Sequence, residues 1–349
     1  MSHVAGEGPL LIPCILAIGA RTAVGLNAES TAAAIRAGVS GLREHPFLMD
    51  AMGEALVCGW DERLDPRQLG VARMAALARA ALEELVGKLG PSLLAAAPLI
   101  LVLPETRPGL EADEEAELVA ALRSFTGSFL LELGPRGHAG ALAALLRGHQ
   151  LLERGAPMVV ILAVDSYLDA QTLRWLDDDD RLSGSAVRGA FIPGEAGVAL
   201  ALAATPPPSG LRSHVLVRGV GVATEARGSD SDTGTLGEGL TEALRSATVT
   251  LRLPEEAVDD LYGDINGERQ RTDDWVFSCL RFPGVARRSS DYQLHTDCVG
   301  DVGSATGALA CLLAVRAWER GYASGPRALI WAGSDGGLRA AAVLEAGDR

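Results

Sequence analysis

Gly140–Leu146 reads GALAALL and Gly307–Leu313 reads GALACLL, a repeat offset by about half the chain. Each copy runs on to Glu-Arg-Gly, at Glu153–Gly155 and Glu319–Gly321. Each is then followed by an apolar run closing at an acid: MVVILAVDS around Asp165, and RALIWAGSD ending at Asp335. The alanine-rich stretches have helix composition, and a terminal glycine suits the left-handed residue that ends a helix. The runs that follow suit buried strands. A helix–turn–strand unit that occurs twice at so long a period points to a duplicated α/β plan. The chain is therefore expected to be a pseudo-dimer of two halves, residues 1–208 and 209–349. The Pro-rich stretch Thr205–Gly210 (TPPPSG) is expected to connect them.

The remaining pattern agrees. Strands are expected at Ile12–Gly19, Pro98–Leu103, Ser128–Leu133, Pro157–Val164, Gly197–Ala203, His214–Val222 and Ala328–Ala332. Helices are expected at Glu29–Ala37, Leu69–Leu89, Ala112–Arg123, Ala139–Arg154, Gly237–Thr248 and Ala305–Arg320. Short apolar runs alternating with helices indicate a parallel or mixed sheet covered by helices. Gly228–Gly234 reads as a solvated loop.

Composition narrows the function. The 349 residues are 48% apolar, enough for a large core, and carry a net charge of −14, which argues against nucleic acid as partner. Five scattered cysteines and six histidines form no zinc or disulfide framework and suit a reducing, cytoplasmic compartment. Pro9–Gly19 is too short to span a bilayer, so no membrane association is expected. Lys88 is the sole lysine, so a lysine-dependent mechanism must use it. No phosphate loop, dinucleotide fingerprint or HExxH motif occurs. The acids of Asp177–Asp180 and Ala112–Glu117 read as a solvated face and a helix start, although the first offers a place for a cation or a basic partner.

Several further stretches carry a resemblance: Gly19–Leu42 (GARTAVGLNAESTAAAIRAGVSGL), Phe191–Leu202 (FIPGEAGVALAL), Gly237–Leu244 (GEGLTEAL), and the Gly-rich turns Gly303–Gly307 and Gly333–Gly337. In their order and spacing they resemble the thiolase superfamily, and within it the β-ketoacyl synthases, over nearly the whole chain. The resemblance implies a five-layered αβαβα fold with the two repeated helices buried between two sheets. It implies a 3-oxoacyl-[acyl-carrier-protein] synthase ancestry, an acyltransferase chemistry with neither cofactor nor metal. It also implies a homodimer joined along the Ser128–Leu133 strand, through Phe129, Leu130, Leu131 and Glu132. Glu132 is the awkward member there; either solvent or Arg136 is expected to meet it.

The positions that the resemblance makes catalytic are altered. Decarboxylating condensation needs a thiolate at a helix N-terminus and two imidazoles for the developing oxyanion. The nucleophile position falls at or beside His138, in GPRGHAG, and no cysteine lies between Cys58 and Cys279. His138 alone reads as a nucleophile or, more commonly, as a polar capping group. The first imidazole position reads Asn266 in GDINGER, either a residual donor or an Asn-Gly turn. The supporting lysine position reads Thr296 and the second imidazole position Asp301, in TDCVGD. The apolar gate position reads Asp335. Together these imply a degenerate active site. A rebuilt thiol site around Cys298, with His295 and Asp301 near in sequence, is the remaining catalytic alternative.

The leading expectation is a catalytically inactive ketosynthase-like protein that binds a protein partner, as an adaptor or accessory protein for a bacterial type VI secretion effector. The alternative is a chain-length-factor-like partner of an active ketosynthase and its acyl carrier protein; the short chain and Asp335 count against it. An acyltransferase rebuilt around Cys298 comes third.

Overall fold

The computed structural model describes residues 11–50, 52–95, 97–126, 130–184, 187, 189–205, 215–227 and 234–347. Most of the Thr205–Gly210 connector and of the Gly228–Gly234 loop, and Ser128 and Phe129, lie outside the described residues.

The first part of the chain supplies β1 (Pro13–Thr22), α1 (Ala28–Arg36), a hairpin of β2 (Leu42–Met49) and β3 (Ala55–Gly59), α2 (Gly70–Leu89), α3 (Pro91–Leu94), β4 (Pro98–Val102), α4 (Ala112–Thr126), β5 (Leu130–Leu133), α5 (Gly140–Glu153), β6 (Val159–Ser166), α6 (Ala170–Asp178) and β7 (Glu195–Ala204). The second part supplies β8 (Val215–Thr224), α7 (Glu238–Ala247), β9 (Asp260–Tyr262), α8 (Arg269–Arg281), β10 (Tyr292–Gln293), α9 (Thr296–Val299), a 3-10 turn at Gly303–Ala305, α10 (Thr306–Glu319), β11 (Arg327–Gly333) and β12 (Leu338–Ala346).

Strand order exposes the duplication. One end of the assembly runs β5-β4-β6-β7-β1 and the other β10-β9-β11-β12-β8, the same sequence of roles in each. Pairing directions match as well. β4 is parallel to β5 and β6, and β7 runs antiparallel between β6 and β1. β9 is parallel to β10 and β11, and β12 runs antiparallel between β11 and β8. Among the described residues, the Cys14↔Leu216 bridge is the one pairing that joins the two five-stranded sheets, side by side, into a continuous ten-strand order.

Alternation along the strands then builds five layers. Leu99 and Leu101 of β4 face α2 and α4, whereas Ile100 and Val102 face α5 and α10. On the other sheet Leu329 and Trp331 face α7 and α8, whereas Ala328, Ile330 and Ala332 face the same central pair of helices. The repeated helices are thus the middle layer, as expected. In α10, twelve of fourteen residues are buried, so its all-round apolar sequence is a core signature. The side chain of Leu142 would meet a Cβ at Gly307 at 2.8 Å, so small residues set the spacing of α5 and α10.

The two Glu-Arg-Gly ends are alike down to the hydrogen bond. Gly155 and Gly321 are left-handed, at φ +93° and +70°. Ala156 N–H donates to Leu151 O and Tyr322 N–H to Ala317 O, the long-range bond of a Schellman end.

Elements outside the expected set are β2, β3, β9, β10, β12, α6, α8 and the short α3 and α9. The one that matters most for the architecture is β12. Its LRAAAVLEA composition favours helix, but the strand lies between β11 and β8, with α7 on one side and α5 on the other, and small side chains fit that slot.

Close approach of helix to sheet also repeats. A Cβ on Gly19 of β1 would lie 2.1 Å from Ala81 O of α2, and one on Gly221 of β8 would lie 1.9 Å from Ala243 O of α7. Backbone cannot yield as a side chain can. Gly19→Val and Gly221→Val are each expected to lower the unfolding free energy by about 1–3 kcal/mol or more. Urea titration of the two variants checks this, and an unchanged midpoint in either contradicts the packing described.

Candidate functional site

The N-terminus of α5 points into the middle of the molecule. Gly137, left-handed at φ +74°, turns the chain so that His138 enters a pocket at 4% exposure. Ser334, from the turn after β11, caps this start: its hydroxyl accepts from Ala139 N–H at 3.1 Å and donates to Arg136 O at 3.0 Å. Glu105, after β4, fixes the same turn by accepting from Asp335 N–H and Gly336 N–H, each at 2.9 Å.

Three of the altered positions meet here. His138 Nε2 lies 2.8 Å from Asp301 Oδ1, which also accepts from Gly303 N–H at 2.7 Å. Asn266 Nδ2 donates to Asp301 Oδ2 at 2.6 Å, while its Oδ1 accepts from Glu268 N–H at 3.0 Å. The Asn266 side chain thus shapes its own turn, and its amide donates to a carboxylate of this chain. Thr296 stands apart, donating its hydroxyl to Ile265 O at 3.1 Å.

Arg271 of α8 organises the other side. It donates to Asp264 Oδ2 at 2.8 Å and Gly333 O at 2.6 Å, and reaches Asp335 Oδ1 at 3.3 Å. Its Nη2 is 3.2 and 3.1 Å from the two ring nitrogens of His138, so it lies over the ring rather than along one lone pair. Arg181 bridges Glu268 at 2.7 Å and Asp335 at 3.0 Å. Arg107 holds Asp165 at 2.7 Å and stacks on Tyr167. His138, Arg107, Asp165, Tyr167, Arg181, Glu268 and Asp335 wall a cavity of about 1070 Å³ with Trp175, Asp179, Arg269 and Asp273, and Arg271, Asn266 and Asp301 lie behind this wall. Both acids that close the repeated strands, Asp165 and Asp335, line it.

The electrostatics follow from the pairing. Burial pushes the Asp301 carboxyl up, but the charge and hydrogen bond of His138, Arg271 and the Gly303 amide hold it far below the usual carboxylate range. Burial and Arg271 push the His138 imidazole down, but the charge and hydrogen bond of Asp301, with Asp335, win and raise it. Burial raises the Asp335 carboxyl, and Arg271, Arg181 and His138 bring it below its ordinary value. The gate position therefore holds a charged, ion-paired side chain in the cavity wall.

This geometry offers little for nucleophilic attack. The nitrogen of His138 nearest to Asp301 is engaged, and a raised pKa favours the imidazolium, which has no free lone pair. Cys298 is not brought to the cavity. Its sulfur points at Ile35 O of α1 at 3.9 Å, and burial followed by Asp297 raises its thiol. Burial pushes His295 down to about 4 against the pull of Asp301 and Asp264, and its Nε2 finds no partner among the described residues. Lys88 lies elsewhere, donating to Ile18 O at 2.7 Å and paired with Glu29 and Glu84. No group of three or more metal-ligating side chains occurs among the described residues. Of the Asp177–Asp180 run, Asp179 lines the cavity and Asp180 is left-handed, at φ +55°.

Among the described residues β5 is an edge strand, hydrogen-bonded to β4 alone. Leu130 and Leu133 are 73% and 47% exposed. Glu132 is met neither by solvent alone nor by Arg136: Arg147 of α5 holds both its oxygens, at 2.7 and 2.9 Å, while Arg136 pairs with Glu115. Arg147 lies on the α5 face beside the strand, a neighbour that sequence separation did not single out.

No family model matches the sequence, and no curated protein matches it. Solved structures do match. The ketosynthase from module 6 of the bacillaene synthase of Bacillus subtilis 168 is 13% identical, over 97% of this chain and 72% of that one, with a TM-score of 0.76. The ishigamide ketosynthase/chain length factor is 18% identical, over 97% and 100%, with a TM-score of 0.73. A ketosynthase in complex with its chain length factor from Xenorhabdus doucetiae is 14% identical, over 97% and 98%, with a TM-score of 0.70. The chain has the thiolase-like ketosynthase fold. The ishigamide alignment runs over all of that chain.

The His138–Asp301 pair fixes a pH window. A raised imidazole contributes stability that is complete below its ordinary value of 6.5 and is lost as pH rises through the folded value. A lowered carboxyl contributes stability that is complete above 3.8 and is lost as pH falls through its folded value. Removing one member of a buried pair costs about 3–5 kcal/mol. His138→Ala is thus expected to be destabilised by about that much near pH 5 to 6, with the gap to the unaltered protein narrowing as pH is raised well above 6.5, through the raised folded value. Chemical denaturation in both pH ranges tests it; a gap independent of pH rules out a charged His138.

Proposed function

We propose that this chain is a catalytically silent ketosynthase-like protein that works by binding another protein. The observation that carries this reading is the His138–Asp301–Asn266 contact. The positions that resemblance assigns to a thiolate and two imidazoles hold one imidazole, one carboxylate and one amide, bonded to each other. A carboxylate beside a developing oxyanion repels it. The thiol nearest in sequence is turned into the core.

The partner we favour is a bacterial type VI secretion effector, with this chain as adaptor or accessory protein. A chain-length-factor-like role, paired with an active ketosynthase and its acyl carrier protein, is the second reading. It is favoured by the likeness to a ketosynthase solved in complex with its chain length factor. In both, the 1–208 and 209–349 halves act as one scaffold in the cytoplasm. No helix among the described residues is long and apolar enough to cross a membrane.

Both readings use β5. An unpaired edge strand with exposed leucines invites pairing with another chain, and pairing with a copy makes an isologous dimer. Leu146, 38% exposed on α5, extends the apolar surface available to it. We propose a homodimer unless an active ketosynthase takes the partner's place.

Incubation with acyl carrier protein thioesters, or with a cysteine alkylator directed at ketosynthases, is expected to leave the intact mass unchanged. A stoichiometric acyl adduct on Cys298 or His138 overturns the silent-site reading. Light scattering is expected to give a dimer, and Leu130→Pro, which removes a ladder donor, a monomer or aggregate. A stable monomer of the unaltered protein ends the β5 proposal.

A further inference from the structure

A second concavity, of about 520 Å³, lies on the outside of the molecule between α1 and the end of α10, remote in sequence from the residues of the central cavity. Ala32, Ala33 and Ala37 are among its walls, and Arg36, Arg316, Arg320 and Tyr322 bring three guanidinium groups and a phenol to it. The arginines differ in what holds them. Arg316 is tethered by Glu29 at 3.2 Å and by Glu319. Arg36 lies on the face of the Tyr322 ring, 3.8 Å from its centroid. Stacking fixes the guanidinium plane yet leaves its N–H edge unspent. Neither Arg36 nor Arg320 forms an ion pair among the described residues. Glu29, the one acid in the wall, is engaged by Lys88 at 2.9 Å as well as by Arg316.

Helix ends account for part of this. α1 and α10 both terminate here, and basic side chains favour the negative end of the dipole. Each end offsets only about half a charge. Lys88 is met by Glu84 as well as Glu29, and Arg316 by Glu29 and Glu319, so acids balance these two cations and the guanidinium groups left without a carboxylate are those of Arg36 and Arg320. Arg36 and Arg320 both line this one hollow, and neither fork is spent on a carboxylate among the described residues.

We propose that this groove binds a soluble phosphate ester, its phosphate held by Arg36 and Arg320 and its organic part against the alanine wall. Guanidinium forks match phosphate oxygens in pairs, and alanines leave room for a flat or aliphatic group. The recessed shape favours a small molecule over a lipid surface.

The test is calorimetric titration of the full chain with inorganic pyrophosphate and with a nucleoside triphosphate, at low and at physiological salt. One saturable site per chain is expected, weakened by salt. Arg36→Gln/Arg320→Gln is expected to weaken it about tenfold or more, and Arg36→Lys, which keeps charge but loses the stacked fork, to weaken it as well. Arg123→Gln, exposed on α4, which packs with α2 on the opposite face of the first sheet from α10, is expected to leave it unchanged. Thermal melts establish that the variants fold; all the altered side chains except those stacked on Tyr322 are free of tertiary partners in the groove, so a folded double variant is expected. Absence of saturable binding up to about 5 mM, equal binding by the double variant, or binding to phosphatidate vesicles alone each overturns the proposal.

Discussion

One carboxylate, Asp301, is 2% exposed in the middle of the molecule, and a charge so placed must be compensated on every side. The compensation comes from elements far apart in the chain: His138 before α5, Asn266 after β9, and the Gly303 amide before α10. Arg271 from α8 answers the remaining negative charge of Asp264 and Asp335. Around it Ser334 and Glu105 fix the loops that carry these groups. The central site is thus a closed ionic lattice, and its geometry follows from the need to keep one buried anion satisfied.

On the silent-site reading proposed above, such a lattice accounts for how a fold of this kind keeps its polar centre without collapsing. Loss of a thiolate and two imidazoles, with nothing in their place, leaves a polar hollow whose backbone donors lack partners. Here the replacements are complementary: an acid faces an imidazole and an amide. Arg181, with burial opposing but Asp335 and Glu268 prevailing, is held even more firmly protonated than an ordinary guanidinium. The cavity persists at a size suited to a ligand or an inserted side chain, yet most of its ionic groups already have partners. A protein of this design offers its surface, its edges and its shape more readily than it offers chemistry.

The architecture was legible because the duplicated segments are the buried ones. Gly140–Leu146 and Gly307–Leu313 sit between two sheets, where small residues are required on all sides and drift is penalised. The acids Asp165 and Asp335 were visible as strand ends for the same reason. Hidden from the sequence were features decided by partners distant in the chain. β12 looks helical because its alanines answer to α5 and α7 rather than to backbone preference. Arg271 sits in a stretch, Glu268–Asp274, dense in charged side chains and left unassigned above; its burial beside Asp264 and His138 is set by where α8 docks. The place of His138, Asn266 and Asp301 could be assigned from motif order, but that they bond to one another is a property of the folded chain. Cys298 shows the converse: adjacency to His295 and Asp301 in sequence placed it near the site, whereas the turn of α9 directs its sulfur to α1.

The seam between the sheets has a mechanical meaning. Strand pairing is continuous within each five-stranded unit, and among the described residues it passes between β1 and β8 at the Cys14 to Leu216 bridge. Two backbone bonds away from the sheets, Gly41 N–H to Cys298 O and Asp301 N–H to Ile192 O, add to this, and the rest of the cohesion across the seam comes from side chains, chiefly the interlocked α5 and α10 and the ions around Asp301. A ladder loses its bonds one by one, whereas an interlocked core and an ionic lattice give way together. The two halves are therefore coupled by an all-or-none joint: pulling them apart resists up to a threshold and then fails at once, with each sheet left whole.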